Sequence, residues 1–357
     1  MPDKPKPPIE HLGTLPNAVQ LSHLRYNPDG SQLAATGFDG HIHLWQQRID
    51  GWQAQKPIPG HNGWASKLAW HPTSNLLFSS DSWGQIRCTE IPADAAQPAT
   101  ILWTIEKAHN GWIRDLAITK DGQTLATCSR DKTLKTWDAK TGKNLLSLNL
   151  PTEPFAVTFS NCGQQLLHGD LFGKIELIDA HTGNAIKDFD GSQFHRLHRL
   201  QDVAGLRVLQ FTGDGKRIIA AGTLPESGAT IKSGPLIHIF DAEDEAGKIL
   251  HTLKPGDNKF GFIEDLVQLP GQGEGRLLGI TSGTPGTGKL FLVEPGSEDP
   301  IFEDTKVPNP HALTLHPDQT HFALTTTNKG SNGNGRRLNQ DGEYEGNNSP
   351  VELFRFV

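Results

Sequence analysis

Paired cysteines, a long apolar run and an excess of positive charge are all absent from this sequence. Each absence removes a class of protein. There are three cysteines, Cys88, Cys128 and Cys162. An odd count with no CxxC pair argues against a disulfide framework and against a zinc site. Cys128 lies in the alternating run LATCSRD and reads as a small buried filler. No window approaches ~18 apolar residues, so no membrane span is expected. The opening MPDKPKPPIEHLG holds no apolar stretch of ~7–15 residues, so no signal peptide is predicted and a cytoplasmic location is expected. Net charge is −7 and the sequence pI is near 6.1. Such a chain has no overall attraction for phosphate backbones, so nucleic acid is not an expected partner. Catalytic signatures are missing too: there is no GxSxG, no HExxH and no evident ring of inward Asp or Glu.

What is present is repetition. The chain has 357 residues, with 38 glycines and 24 prolines, a composition suited to many turns between short strands. GHNGWASKLAW from Gly60 and AHNGWIRDLAI from Ala108 start 48 residues apart. Extending them gives seven units, each with a strand, a polar turn, a second strand and a third. The first-strand anchors are Leu24, Leu68, Leu116, Val157, Leu209, Leu266 and Leu313. Their third-strand counterparts are Trp45, Thr89, Trp137, Ile178, Phe240, Val293 and Phe354. In the first four units that separation is 21 every time. Units of ~40–45 residues made of short strands and Gly/Asp turns predict propeller blades. One small sheet leaves its faces bare and its edges open; stacking sheets in a ring covers the faces.

GHNGW, residues 60–64, followed by DLAITKDGQTLATCSRDKTLKTWDAKTG, residues 115–142, resembles the WD-repeat family. Trp137-Asp138 is the sole Trp-Asp pair, and Gly60-His61 and Ala108-His109 supply the family's Gly-His position. The resemblance implies a structural hydrogen-bonded tetrad within one blade, mapped onto His109, Thr127 (or Ser129), Asp131 and Trp137. On that reading His61 and His109 hold blades together and are neither ligands nor bases. Blade one keeps Asp39 and Trp45 but has Asn17 in the His place; blade two keeps His61 but has Trp83 and Thr89 in the Asp and Trp places. The expected fold is all-β, a single seven-bladed β-propeller of four-stranded antiparallel blades. As in the family, the N-terminal strand Ile9–Leu15 would close the last blade, after a Pro/Lys-rich tail at residues 1–8. The resemblance also implies a non-catalytic platform that docks a protein or peptide; no cofactor or metal is expected, and of the open oligomeric states a monomeric ring is favoured.

The last three units break the spacing, at 31, 27 and 41 residues. The extra residues are Leu224–Gly234 in unit five, residues around Gly283–Gly288 in unit six, and an inserted loop over 328–349 in unit seven. A long link, GSQFHRLHRLQDVAG, joins units four and five. In an up-and-down sheet these segments share one face of the ring, and insertions of this kind often mark the binding face. Trp64 and Trp112 fall in blade links on that face; Phe38, Trp83, Arg130 and Phe172 fall in its tight turns. The two link tryptophans have two readings: each covers its own blade seam, or they form a partner-binding patch. The candidate contacts are those six residues with Arg196, Arg199, Arg336, Arg337 and Tyr344.

Three motifs tempt other readings. GTPGTGK, Gly283 to Lys289, looks like a phosphate loop, but Leu290 stands where Ser or Thr is needed and KLFLVE alternates like a strand. FHRLHRL offers His195 and His198 at a helical metal spacing, yet without an acidic or Cys partner, and reads better as a basic surface turn. GRRLNQDGEYEGNNS has few apolar residues and reads as an insertion that could order on binding. An enzyme or small-ligand binder using the central channel is the alternative function, since a propeller can take one catalytic residue from each blade.

Overall fold

The computed structural model of the chain describes residues 8–94, 97–198, 201–226, 232–257, 260–270, 275–283, 286–297, 299–327, 337–338, 344–345 and 347–357. It is a ring of seven four-stranded antiparallel sheets. The first strands are Leu21–Tyr26, Ala65–Trp70, Ile113–Ile118, Pro154–Phe159, Leu206–Phe211, Phe262–Gln268 and Ala312–Leu315. Each touches the first strand of the next blade, and the last touches the first, so these strands line the central channel. Ile9–Leu15 pairs with Val351–Phe356 and completes blade seven from the other end of the chain. A short 3-10 turn, Ser192–Phe194, precedes blade five.

Local chemistry explains the blades. In blade three the second strand Thr124–Ser129 lies between its neighbours, pairing from Leu125 to Ser129 with Ile113–Ile118 and from Thr124 to Cys128 with Thr133–Asp138. The turn before it is KDG: Asp121 Oδ1 accepts the Gln123 N–H at 3.0 Å and the Thr119 hydroxyl at 2.6 Å. Gly122 follows at φ 75°, a conformation that glycine adopts without strain. Every middle strand sits between two blades, so apolar side chains leave both faces. The result is seven hydrophobic clusters, one for each blade seam. Phe78, Ile86, Ile113 and Trp137 fill the seam of blades two and three.

The seams are also tied by hydrogen bonds. The residue before the anchor reaches across to accept the N–H of the next blade's anchor. Leu68 N–H donates to His23 Nδ1 at 3.3 Å, Val157 N–H to Asp115 at 3.0 Å and Leu313 N–H to Asp265 at 3.0 Å. Asp265 also holds Arg25 of blade one at 3.0 Å, so it links blades six, seven and one.

Two sequence expectations change here. The extra residues of unit five are largely ladder, not loop: Arg217–Glu226 and Lys232–Asp241 stay paired out to Glu226 and Lys232. Within FHRLHRL, His195–His198 is strand and not turn, paired with Gln201–Ala204, while Arg196 stays on the surface. A strand removes the helical spacing on which the metal reading of His195 and His198 depended. GTPGTGK leads into the strand Gly288–Val293, where the buried Lys289 ammonium pairs with Glu303 and lies 4.7 Å over the Phe260 ring.

Candidate functional site

The scaffold of the site is the hydrogen-bonded chain of blade three. Trp137 Nε1 donates to Thr127 Oγ1 at 2.9 Å, and Thr127 Oγ1 lies 2.7 Å from His109 Nε2. His109 Nδ1 faces Asp131 at 3.3 Å and Thr133 Oγ1 at 2.8 Å. A neutral imidazole satisfies all of this: Nδ1–H points to Asp131, and Nε2 accepts from Thr127. Burial lowers the His109 pKa and so favours that form, although Asp131 opposes the shift. Thr127 is fully buried and bridges two blade elements. Thr127→Val keeps the shape but orphans the indole N–H and the imidazole nitrogen. It is expected to cost about 2 kcal/mol, read as a lower urea midpoint; an unchanged midpoint would show that the chain is ornamental.

Blade two departs from the expected mapping. Trp83 does stand in the Asp place, but an acid is present two residues earlier. Asp81 ends the second strand and faces His61 Nδ1 at 3.5 Å, while His61 Nε2 meets Ser79 Oγ at 2.8 Å. Asp81 also accepts the backbone N–H groups of Asn62, Trp83 and Gln85, and its pKa is lowered because the His61 side chain, with the Gln85 and Trp83 N–H groups, outweighs burial. In blade four Asp170 accepts the N–H groups of Phe172 and Lys174. In blade one the histidine comes from the third strand: His43 Nε2 reaches Asp39 at 3.1 Å. Moving the acid back frees the turn position, and Trp83 and Phe172 occupy it with their rings exposed.

An aromatic arc grows from these turns and links. The Phe38 and Trp64 rings stack at 5.0 Å, and Trp64 meets Trp112 edge-on at 5.9 Å. The Arg114 guanidinium then bridges Trp112, at 4.6 Å, and Phe155, at 4.7 Å. Glu153 holds Arg114 through Nη2 at 2.5 Å and Nε at 2.6 Å. The arc therefore crosses four blades without a break. Trp64 is 49% exposed and Trp83 69% exposed, and both line an open depression with His61 and Asn62.

The inner end of the arc meets the channel through a repeated irregularity. Six first strands carry a β-bulge near their start. The bulged residues are Ser22, Ser66, Arg114, Phe155, Arg207 and Glu264, and His311 holds the matching place in blade seven. A bulge re-aims the extra side chain, and all seven residues line one cavity of about 210 Å³ at the channel mouth. Sequence reasoning missed this set. Counting two residues back from each anchor finds it. The absence of inward acids is corrected as well: Asp115, Glu264 and Asp265 face the channel, paired with Lys67, Arg207 and Arg25.

Of the remaining candidates, Arg130 and Arg196 are exposed, and Phe172 packs edge-on against His195 at 4.8 Å. Arg199, Arg336 and most of the 328–349 insertion lie outside the described residues, as do the side chains of Arg337 and Tyr344. Among the described residues no group of three or more His, Cys, Asp or Glu is placed to hold a metal ion.

Three stretches match the family model described as WD domain, G-beta repeat: residues 10–46, 52–89 and 100–138. Each begins in the outer strand of one blade and ends in the third strand of the next, and the first begins inside the closing strand. The chain is 24% identical to the F-box/WD repeat-containing protein mec-15 of Caenorhabditis elegans over 197 residues, 52% of this chain and 45% of that protein. It is 30% identical to Coronin-7 of Bos taurus over 140 residues, 37% of this chain and 15% of that protein. It is 24% identical to Actin-interacting protein 1 of Drosophila melanogaster over 160 residues, 34% of this chain and 26% of that protein. The matched region thus spans less than half of each of these proteins.

Proposed function

The chain is a WD-repeat β-propeller, and from that premise we propose that it is a non-catalytic platform that docks a protein or peptide on the face carrying the aromatic arc. The arc from Phe38 to Phe155 is the observation that supports this reading. Exposed tryptophan and arginine supply much of the binding energy at protein interfaces. Asp39 fixes the turn that carries Phe38, and Asp81 and Asp131 fix the links before Trp64 and Trp112 by accepting the Asn62 and Asn110 N–H groups, so little conformational entropy is lost on binding. The inward acids support the same reading against a channel enzyme: Asp115 and Asp265 already accept seam N–H groups, and each faces a cation. The three free cysteines suit the cytoplasmic location that belongs to this proposal. No helix among the described residues is long and apolar enough to cross a membrane.

The test is an affinity capture from source lysate with wild type and with Trp64→Ala/Trp83→Ala. Both rings are exposed, so the melting temperature is expected to stay within a few degrees. A partner held by wild type is expected to bind the variant at least about tenfold more weakly. A partner retained equally by both forms would move the docking site off this face.

A further inference from the structure

The channel mouth carries more chemistry than an apolar seat needs. Three cations, Lys67, Arg114 and Arg207, line its cavity against one acid, Glu264. Arg114 is committed: Glu153 holds it by two contacts, and Trp112 and Phe155 clamp its guanidinium. Lys67 and Arg207 have longer ion pairs, although Arg207 also lies 4.9 Å over the Phe262 ring. Lys67 Nζ stands 3.5 Å from Asp115, and Arg207 Nη1 stands 3.4 Å from Glu264. A charge-assisted hydrogen bond is shorter, about 2.7–2.9 Å. The acids have other partners: Asp115 accepts the Val157 N–H, and Glu264 accepts the Ser282 hydroxyl. In each pair the cation is the more exposed member, 28% against 19% for Lys67 and Asp115 and 40% against 13% for Arg207 and Glu264. A visitor to the mouth therefore meets donors first.

We propose that this mouth is a carboxylate seat, taking the side chain of an aspartate or glutamate from a partner peptide whose neighbouring apolar side chains lie on the Trp64–Trp112–Phe155 arc. The proposal rests on the docking reading above and adds the partner's chemistry. A carboxylate brings one negative charge up to Glu264, whereas a phosphate dianion would bring two. The aromatic wall belongs to blades one to four, and Arg207 and His311 belong to blades five and seven. A chain touching both walls passes over the mouth, which favours a side chain over a C-terminal carboxylate. The net charge of −7 does not oppose this, because exposed charges beyond about 8–10 Å are screened at physiological salt.

The test is a random peptide library displayed on phage and panned on the full chain. Enriched peptides are expected to place an Asp or Glu beside aromatic or aliphatic residues. Synthetic versions are expected to bind about tenfold more weakly after Glu→Gln (or Asp→Asn) in the peptide, a loss of about 1.4 kcal/mol. Lys67→Gln/Arg207→Gln in the protein is expected to do the same, with the melting temperature checked in parallel. The peptide-side change keeps the proposal open to failure even where that variant folds poorly. Peptides that lose binding with Trp64→Ala/Trp83→Ala but need no acid would overturn the seat and leave the platform standing. Peptides indifferent to those tryptophans, or no enrichment at all, would overturn both.

Discussion

A chain lacking residues 1–15 is expected to lose its cooperative unfolding transition, or to unfold at a urea concentration far below that of the full chain. Ile9–Leu15 is the fourth strand of blade seven, paired with Val351–Phe356 from Ile9 opposite Phe356 to Leu15 opposite Val351. Its two ends serve different seams. Ile9 is buried with Leu278, Leu290 and Phe354 between blades six and seven, and Leu15 is buried with Leu21 and Leu24 between blades seven and one. Each buried aliphatic side chain removed costs about 2–5 kcal/mol, and the ladder and the Arg355–Glu10 ion pair go with them. That sum is a large part of the roughly 5–15 kcal/mol by which domains are stable. The truncated ring would also expose a bare strand edge, so oligomers are expected on gel filtration. Adding a synthetic peptide of residues 8–15 in excess is expected to restore part of the transition. A truncated chain that melts within a few degrees of the full one would show that the ring closes by other contacts.

That closure was legible in the sequence because it depends on counting. Seven anchors at near-regular spacing, with one strand too few at one end and one too many at the other, leave little choice of topology. The turn residues were legible for the same reason, since Asp-Gly and Gly-Trp pairs sit at fixed offsets from the anchors. The channel mouth was not. Ser22, Ser66, Arg114, Phe155, Arg207, Glu264 and His311 share a position but no chemistry, and it is the backbone bulge that turns them inward. A two-residue strand period assigns them to the wrong side. The shifted acids were hidden differently. Asp81 and Asp170 lie two places before Asp131's equivalent, so a position-by-position mapping reported a loss where the chain had moved the carboxylate and kept its bonds. In blade one, His43 reaches Asp39 from the third strand, a substitution in space that no linear motif records.

Stability is expected to fall steeply as pH drops from 7 to 5, and buried histidines set the sign. His23, His109 and His238 are buried, and each has its pKa lowered, with burial the first cause. Arg25 and Lys67 push His23 further the same way, and its Nδ1 must stay unprotonated to accept the Leu68 N–H. Above the unfolded value of about 6.5 both states are neutral, and these residues contribute no slope. Below it the unfolded chain takes up protons that the folded chain refuses, so unfolding gains. The loss continues until pH passes the lowered folded values. Each such histidine contributes up to about 1.4 kcal/mol per pH unit, so three approach about 4 kcal/mol per unit. His311, half-buried at the channel mouth and lowered by burial, adds a smaller share. Carboxylates act later. Glu176, drawn down to about 2 chiefly by its hydrogen bond with His168, gives stability that is present above its unfolded pKa and lost below about pH 4. Urea midpoints at pH 7.5, 6.5, 5.5 and 4.8 would separate the two regimes. His23→Gln is expected to flatten the slope between pH 6.5 and 5 by up to one proton, because glutamine cannot charge. A midpoint that stays level from pH 7 to 5 would mean that the seams open locally to protonate these rings without cooperative unfolding.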